Sequence, residues 1–286
     1  MIPVVLDPTD QLLRGEDPTA PPVVIADVRW YLDGRSAREA FEAGHLPGAV
    51  YVDVDTDLAA PASAEGGRHP LPTPEAFAAA MGRLGIGDDT VVVAYDDTGG
   101  TTASRLVWML RALGHDAALL DGGLLATDEP LAVGPSAPAE AVFTPKPWPE
   151  DLLADLPTTA EAAIGEGTTV LDARAAERYR GEVEPVDARP GHVPGARNLP
   201  TRGHVDAEGR FLPPHELRER FGSVGVESGS DVIAYCGSGI NATHTLLALE
   251  HAELGRGRLF PGSWSAYAAT DRPAATGDEP GGESEH

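Results

Sequence analysis

The sequence contains a single cysteine, Cys236, among 286 residues. One cysteine excludes an intramolecular disulfide, a Cys-x-x-Cys redox pair and a zinc site built on cysteines. Long apolar runs are also missing, since none approaches the roughly 18 residues that a membrane helix needs. The N-terminus lacks a basic segment followed by an apolar stretch, so we expect no secretory signal and a cytoplasmic protein.

Basic residues are scarce as well. The chain has 21 Lys and Arg against 45 Asp and Glu, which gives a formal net charge of −24. Nucleic acids and anionic membranes are bound through clusters of Lys and Arg. We therefore expect neither of them as a partner, and we interpret the acidic surface as a contribution to solubility.

What the sequence does contain is an internal repeat. The segment "GHLPGA" (residues 44–49) recurs as "GHVPGA" (residues 191–196). Asp27 and Arg29 recur as Asp172 and Arg174. Equivalent positions stay about 140 to 147 residues apart, which indicates a duplication.

Both copies alternate strand-like and helix-like segments. Short runs rich in β-branched residues, such as "VVIADV" and "DVIAY", predict buried parallel strands. Amphipathic segments that end in glycine lie between them, as expected for helices on both faces of a sheet. We predict an α/β fold with two tandem domains. The predicted boundaries are an N-terminal domain at 1–125, a Pro- and Ala-rich linker at 126–158, a C-terminal domain at 159–272 and a disordered acidic tail at 273–286.

The duplication changes the interpretation of the lone cysteine. Cys236 follows a predicted strand in "AYCGSGINATH", and the other copy reads "AYDDTGGTTAS" with Asp96 at the same position. A lone cysteine is more often inert and buried. A position that accepts either a thiol or a carboxylate is instead expected to be solvent-accessible, at the strand end where α/β sheets bind ligands. We predict a reactive Cys236 and a catalytically silent N-terminal domain.

The residues after Cys236 suit an activated thiol. Gly237 and Gly239 are predicted to take positive φ angles, so that several N–H groups converge on the sulfur. A helix beginning near Asn241 adds the positive end of its dipole. Cysteines at helix N-termini have pKa values of about 3.5 to 7.5, so the loop predicts a thiolate nucleophile that Ser238 assists with a hydrogen bond.

Phosphoryl chemistry does not fit this loop. A phosphate-binding loop needs Gly-Lys-Ser/Thr, which the sequence lacks. A cysteine phosphatase needs an arginine six residues after its cysteine, and that position is Ala242.

At these residues the chain resembles the tandem-domain rhodanese-type sulfurtransferases over nearly its whole length. The resemblance is carried by the two "GHxPGA" segments and by "RYRGEVEP", "CGSGI", "LDGG" and "GSW". It implies a cysteine that accepts a sulfane sulfur as a persulfide and passes it to a thiol, a protein thiol or cyanide. It also implies that no metal or organic cofactor is needed.

Within that family, "CGSGI" resembles the loop of enzymes that prefer 3-mercaptopyruvate, whereas enzymes that prefer thiosulfate often carry basic residues there. By resemblance, Arg178 holds the donor carboxylate, Ser238 assists at sulfur, and His69 and Asp55 line the site from the N-terminal domain. The loop residues expected around the donor are Gly237, Gly239, Ile240 and Asn241. The stretch "VEPVDARPGH" is two residues shorter than the family's Glu-Pro-Glu-Pro-Arg pattern, which makes Arg189 a shifted candidate for a second arginine.

Two alternatives to the mercaptopyruvate enzyme stay open. One is a thiosulfate:cyanide sulfurtransferase, and the other is a persulfide carrier or sensor without turnover. Several prominent residues are expected to be structural instead. The residues that recur in both copies should tie loops together, and Trp264 should pack within the C-terminal domain.

Overall fold

The computed structural model describes residues 1–14, 21–127 and 130–281. The chain divides into two compact units, each of which includes a short segment from elsewhere in the sequence. Unit 1 comprises Met1–Ala60, Leu71–Pro149 and Val205–Phe211, and unit 2 comprises Pro61–Pro70, Glu150–His204 and Leu212–His286.

Unit 1 contains a parallel sheet with the strand order β1-β5-β4-β2-β3. Its strands are β1 (Val5–Leu6), β2 (Val23–Asp27), β3 (Val50–Tyr51), β4 (Val91–Tyr95) and β5 (Ala117–Leu120). Its helices are α1 (Gln11–Arg14), α2 (Ala37–Ala43), α3 (Pro74–Arg83) and α4 (Ala103–Ala112). β4 is buried along its whole length, as its continuous apolar sequence predicts.

Unit 2 contains a parallel sheet with the order β7-β6-β8-β9. Its strands are β6 (Thr169–Asp172), β7 (Arg197–Asn198), β8 (Val232–Tyr235) and β9 (Arg258–Leu259). Its helices are α5 (Leu156–Ile164), α6 (Ala176–Tyr179), α7 (Pro214–Ser223), α8 (Asn241–His251) and α9 (Ser263–Tyr267). The predicted α/β fold with two mostly parallel sheets is confirmed.

Residues 130–149, predicted as part of a linker, lie against unit 1. Ala132 pairs with His45 as an antiparallel bridge, and the Trp148 indole donates a hydrogen bond to the carbonyl of Pro72 at 2.8 Å. Leu153 then forms a parallel bridge with Leu259 of β9, and α5 begins at Leu156, before the predicted domain start. Single bridges leave no periodic pattern in the sequence, so composition alone suggested a linker. Residues 128–129 lie outside the described part of the chain.

The predicted disordered tail needs a similar correction. Ala275 pairs with His192 as an antiparallel bridge, and Gly195 N–H donates to the carbonyl of Pro280 at 2.8 Å. This bridge repeats the Ala132–His45 bridge of unit 1, so residues 273–281 complete the second copy of the repeat. Residues 282–286 lie outside the described residues.

The recurring Asp–Arg pairs tie loops together, as expected. In unit 1 Arg29 donates to the Asp27 carboxylate at 2.7 Å and to the Gly44 carbonyl at 2.8 Å. In unit 2 Arg174 donates to Asp172 at 2.6 Å and to the Gly191 carbonyl at 2.7 Å. Both pairs are buried, and removing one partner of such a pair typically costs about 3 to 5 kcal/mol.

The buried His204 contacts α7 and α8, the helix that follows Cys236. The His204 ring stacks on Phe221 of α7 at 5.4 Å and lies 5.8 Å from the His244 ring of α8. Burial, followed by the nearby charges of His244 and Arg220, holds the pKa of His204 well below its ordinary value of 6.5. The folded protein therefore keeps this ring neutral at pH values where the unfolded chain protonates it.

We predict that acid destabilises the protein through His204. Because its folded pKa is lowered, its contribution to stability is complete above pH 6.5 and is lost as the pH falls below that value. The loss is about 1.4 kcal/mol per pH unit while only the unfolded chain takes up the proton. Urea unfolding at pH 7.5 and pH 5.5 should show a smaller pH effect for His204→Gln than for the wild type. His215→Gln, on the exposed face of α7, is the control, and an unchanged pH effect in His204→Gln would contradict the prediction.

Candidate active site in unit 2

Cys236 lies at the carboxyl end of β8, and α8 begins five residues later. Its Sγ accepts a hydrogen bond from the N–H of Gly239 at 3.2 Å. Gly239 has a φ of +79°, a conformation that favours glycine, so this residue can turn its N–H back toward the sulfur. The helix start at Asn241 and the positive φ of Gly239 agree with the sequence prediction.

Cys236 is not solvent-accessible in the way that the sequence suggested. It is only 3% exposed, and Asp96 at the equivalent position of unit 1 is fully buried. The expectation of an exposed position was wrong because it assumed that a carboxylate needs water. In unit 1 the protein backbone supplies the hydrogen bonds instead.

Asp96 shows how many donors this type of loop directs at one residue. Its Oδ1 accepts the N–H groups of Thr98 and Gly100, both at 2.8 Å. Its Oδ2 accepts the N–H groups of Thr102 and Ala103 at 2.8 and 2.9 Å, and the Thr102 hydroxyl at 3.0 Å. The unit 1 loop is an anion-binding cradle that a carboxylate of the chain itself fills.

The repeat places Cys236 at the position equivalent to Asp96 in the unit 2 loop. Thr98, Gly100 and Thr102 correspond in sequence to Ser238, Ile240 and Ala242. The N–H that reaches Sγ is that of Gly239, which corresponds to Gly99. A thiol is smaller than a carboxylate group, so Cys236 occupies less of its loop than Asp96 does.

The backbone of Cys236 is held by the first turn of α9. The Ser263 hydroxyl accepts the Cys236 N–H at 3.1 Å, and the N–H groups of Trp264 and Ser265 donate to the carbonyls of Cys236 and Gly237 at 3.0 and 2.9 Å. Ser263 does this at a φ of +52°, where its unit 1 counterpart is Gly123 at +56°. A side chain in this left-handed region costs about 1 kcal/mol, so unit 2 accepts strain in exchange for a hydroxyl.

Gly237 differs from its prediction. It does not have a positive φ, and its small size serves another purpose. A Cβ built on Gly237 would lie 3.0 Å from Nη2 of Arg68 and 3.3 Å from Nη1 of Arg178. The glycine lets two guanidinium groups approach the backbone next to Cys236, although the loop itself contains no basic residue.

Two carboxylates hold these arginines. Asp187 forms ion pairs with Nη1 of Arg68 and, at 3.1 Å, with Nη2 of Arg178. Glu184 accepts Nη2 of Arg178 at 2.7 Å. Burial raises the pKa of Asp187 despite the neighbouring arginines. Burial also works to raise the pKa of Glu184, but hydrogen bonds from the Asp187 N–H and Arg178 outweigh it and lower that pKa.

Of the other residues predicted for the site, some lie in the loop after Cys236 and one does not. Ser238 and Ile240 are buried in the loop and Asn241 opens α8. Arg189 donates a hydrogen bond to the carbonyl of Tyr267 at 3.3 Å, and its guanidinium lies 5.9 Å from the centre of the Tyr267 ring. Its described contacts are therefore with α9 and not with the loop after Cys236.

His69 and Asp55 belong to different units. His69 is buried in the 61–70 segment of unit 2, directly after Arg68. Asp55 is exposed in unit 1 and accepts the Trp30 indole N–H at 3.1 Å. Their roles at the site stay predictions from the family resemblance.

Sequence reasoning missed Arg68, Asp187 and Ser263. Arg68 immediately precedes His69, but 168 positions separate Arg68 from Cys236, and nothing local indicates that they meet. Ser263 carried a usable signal, because it replaces a glycine of the duplicate copy in the segment aligned with "LDGG".

The described residues contain neither a candidate metal centre nor a membrane-spanning helix. In the described ranges no group of three or more His, Cys, Asp or Glu side chains could hold a metal ion. Over the same part of the chain, no helix is long and apolar enough to span a membrane.

Comparisons with known proteins agree with the internal repeat. The rhodanese-like domain matches residues 12–128 and 156–270. A Pseudomonas aeruginosa protein named as a 3-mercaptopyruvate sulfurtransferase is 40% identical, with 94% of this chain and 99% of that protein covered. The human 3-mercaptopyruvate sulfurtransferase is 38% identical, with 88% and 87% covered. A Mycobacterium tuberculosis protein named as the thiosulfate sulfurtransferase SseB is 40% identical, with 93% and 95% covered.

Solved structures give the same result. The 3-mercaptopyruvate sulfurtransferase of Leishmania major matches with a TM-score of 0.80 at 31% identity, covering 95% of this chain and 75% of that one. SseA of Escherichia coli matches with a TM-score of 0.77 at 30% identity, covering 92% and 100%. The chain belongs to the rhodanese family and is a tandem-domain sulfurtransferase.

We predict that truncating Asp96 lowers the free energy of unfolding more than truncating Cys236 does. Asp96→Ala leaves four backbone N–H groups without their acceptor, so it should lower the free energy of unfolding by about 3 kcal/mol or more. Cys236→Ala removes an acceptor for the Gly239 N–H and should cost less than half as much. Urea unfolding of both variants measures the difference, and equal costs would show that Asp96 is not the centre of a filled cradle.

We predict that replacing Ser263, whose hydroxyl accepts the Cys236 N–H, lowers turnover. Ser263→Gly removes both the backbone strain and the hydroxyl that accepts the Cys236 N–H. We expect kcat to fall about three- to tenfold, the equivalent of one hydrogen bond, with an unchanged or higher Tm. Ser263→Ala keeps the strain and should lower kcat similarly while reducing Tm. A Ser263→Gly variant with wild-type kcat would contradict a positioning role for the hydroxyl.

Proposed function

We propose that the enzyme transfers a sulfane sulfur from 3-mercaptopyruvate, through a persulfide on Cys236, to a thiol or cyanide. The observation that carries this proposal is the pair of equivalent loops. One loop surrounds the Asp96 carboxylate with five donors, and the other presents the only thiol of the chain at the same place. A cradle built for negative charge suits a sulfur that alternates between thiolate and persulfide.

The first half of the reaction forms the persulfide. The Cys236 thiolate attacks the thiol sulfur of mercaptopyruvate, so a sulfur–sulfur bond forms as the carbon–sulfur bond breaks. The electron pair of the broken bond stays on the donor carbon as an enolate, which takes up a proton to become pyruvate. N–H groups of the loop stabilise the charge that develops on sulfur, and Ser238 assists there.

The second half returns the enzyme to its starting state. A thiol, a protein thiol or cyanide attacks the outer sulfur, and the electron pair of the sulfur–sulfur bond returns to Cys236 as a thiolate. With cyanide the product is thiocyanate. The enzyme needs no external electron carrier, because donor and acceptor exchange one sulfur atom.

The charges near Cys236 support a monoanionic donor. Arg68 and Arg178 approach Gly237, but Asp187 and Glu184 already balance them. The two arginines and two carboxylates together carry no net charge. The arginines can orient one carboxylate of the donor, but the group lacks the extra positive charge that would favour a dianion such as thiosulfate. The names of the Pseudomonas and human relatives agree with this donor.

A thiosulfate:cyanide sulfurtransferase is the second candidate. The Mycobacterium relative is named for thiosulfate, and two arginines next to the loop could also attract a dianion. A carrier or sensor that holds a persulfide without turnover is the third. The formal charge of −24 supports small-molecule or protein-thiol partners over nucleic acid or membrane surfaces. We place the enzyme in the cytoplasm, where a reducing environment keeps Cys236 as a thiol.

Steady-state thiocyanate formation separates the candidates. We expect a kcat/KM for mercaptopyruvate at least about tenfold above that for thiosulfate, one factor of ten corresponding to about 1.4 kcal/mol of transition-state binding. Cys236→Ser should abolish turnover with both donors, whereas Arg180→Met, at a surface arginine paired with Glu182, should leave it unchanged. A preference for thiosulfate would overturn the donor assignment. No turnover with either donor would favour the carrier, and full activity of Cys236→Ser would refute the mechanism.

A further inference from the structure

Unit 1 contains a cavity that the proposed reaction does not use. It has a volume of about 230 Å³ and lies between α2, β3 and the C-terminal end of α3, with Pro135 and Pro138 on its remaining wall. Pockets for drug-sized ligands have volumes of about 300 to 1,000 Å³. This cavity therefore suits a molecule with fewer atoms.

Four charged side chains line the cavity, two of each sign: Arg38, Arg83, Glu42 and Asp57. Asp57 pairs with Nη2 of Arg83 at 3.2 Å. Arg38 and Glu42 are four positions apart on α2, so they share one face of that helix. Within the described residues neither of them forms an ion pair, and the Arg38 guanidinium lies 4.7 Å from the centre of the Tyr51 ring. The cavity thus presents both signs of charge to a ligand, with no net excess of either.

The Asp57 carboxylate can accept a further donor from a ligand. Its Oδ2 accepts the N–H of Asp53 at 2.9 Å, and its Oδ1 accepts Arg83, whose side chain is 58% exposed. An ionised carboxylate has about four acceptor sites. Burial raises the pKa of Asp57 in spite of these two partners. An ammonium group in the cavity would therefore stabilise the ionised carboxylate.

Comparison of the two copies indicates that these charges are not part of the repeated scaffold. Asp57 corresponds in sequence to His204, and Arg83, the last residue of α3, corresponds to Ser223, the last residue of α7. Unit 2 keeps both backbone elements without this ion pair. The charged residues are therefore a feature of unit 1 and not a requirement of the fold.

The mixed charges favour a zwitterion over a simple anion or a simple cation. An anion would pair with the arginines but would face Glu42 and Asp57, and the formal charge of −24 opposes its approach. A cation would pair with the carboxylates but would face Arg38 and Arg83. A zwitterion has no net charge and can pair with both sets.

We propose that the unit 1 cavity binds a small α-amino acid, with its carboxylate at Arg38 and its ammonium group at Asp57. The Tyr51 ring holds the Arg38 guanidinium by a cation–π contact, which limits the freedom that the arginine loses on binding. The volume of the cavity restricts the ligand to a short side chain. The site does not depend on the proposed sulfur donor.

Isothermal titration calorimetry with L-alanine tests this site. We expect saturable binding of one molecule per chain, weakened at least about tenfold in Arg38→Met and in Asp57→Asn, because each loses a charge-assisted hydrogen bond. Propionate lacks the ammonium group and ethylamine lacks the carboxylate, so each should bind at least about tenfold more weakly than alanine. The titrations are repeated in Arg178→Met, so that carboxylate binding beside Gly237 is not counted.

Arg35→Met is the matched control, because Arg35 is an exposed arginine of unit 1 that pairs with Asp33 and does not line the cavity. It should leave alanine affinity unchanged. Circular dichroism and Tm confirm that the variants are folded, and Arg38→Met at an exposed position decides the result if Asp57→Asn is unstable. Absence of alanine binding, or equal binding to Arg38→Met, would overturn the proposal. Propionate or ethylamine binding as tightly as alanine would overturn the assignment of a zwitterion.

Discussion

The structure depends on how a negative charge is stabilised at the carboxyl end of a buried central strand. Asp96 is fully buried and Cys236 is 3% exposed at this place, so backbone N–H groups supply the hydrogen bonds. In unit 1 they converge on the Asp96 carboxylate, and the loop is complete without a ligand. In unit 2 the equivalent loop follows Cys236, whose Sγ accepts the N–H of Gly239. Under the proposed function, the unit 1 loop is filled permanently by Asp96 and the unit 2 loop holds a second sulfur atom during turnover.

The other parts of unit 2 support this arrangement. The first turn of α9 holds the backbone of Cys236 through the Ser263 hydroxyl, at the cost of a left-handed serine. Asp187 and Glu184 hold two arginines beside Gly237 without leaving net charge. The duplicated Asp172–Arg174 pair ties the loop around Gly191, and Arg174 also pairs with Glu184 at 3.4 Å.

Much of this was accessible from sequence because duplication allows one copy to be read against the other. The alternation of strands and helices, the start of α8 at Asn241 and the structural role of Arg174 follow from local patterns. The burial of Cys236 does not, since it depends on backbone donors whose direction the sequence does not show. Arg68 was missed because its approach depends on a contact between Gly67 and Gly262. The pairing of Ala132 and Ala275 was missed because single bridges in Pro-rich segments have no periodicity.

The proposed reaction requires Cys236 to carry a second sulfur atom. Intact-protein mass spectrometry after incubation with 3-mercaptopyruvate, without any acceptor, measures this. We expect a gain of one sulfur atom per chain, located on the peptide that contains Cys236, and its loss when cyanide is added. A chain that gains no sulfur, or a Cys236→Ser variant that gains it equally, would refute the persulfide.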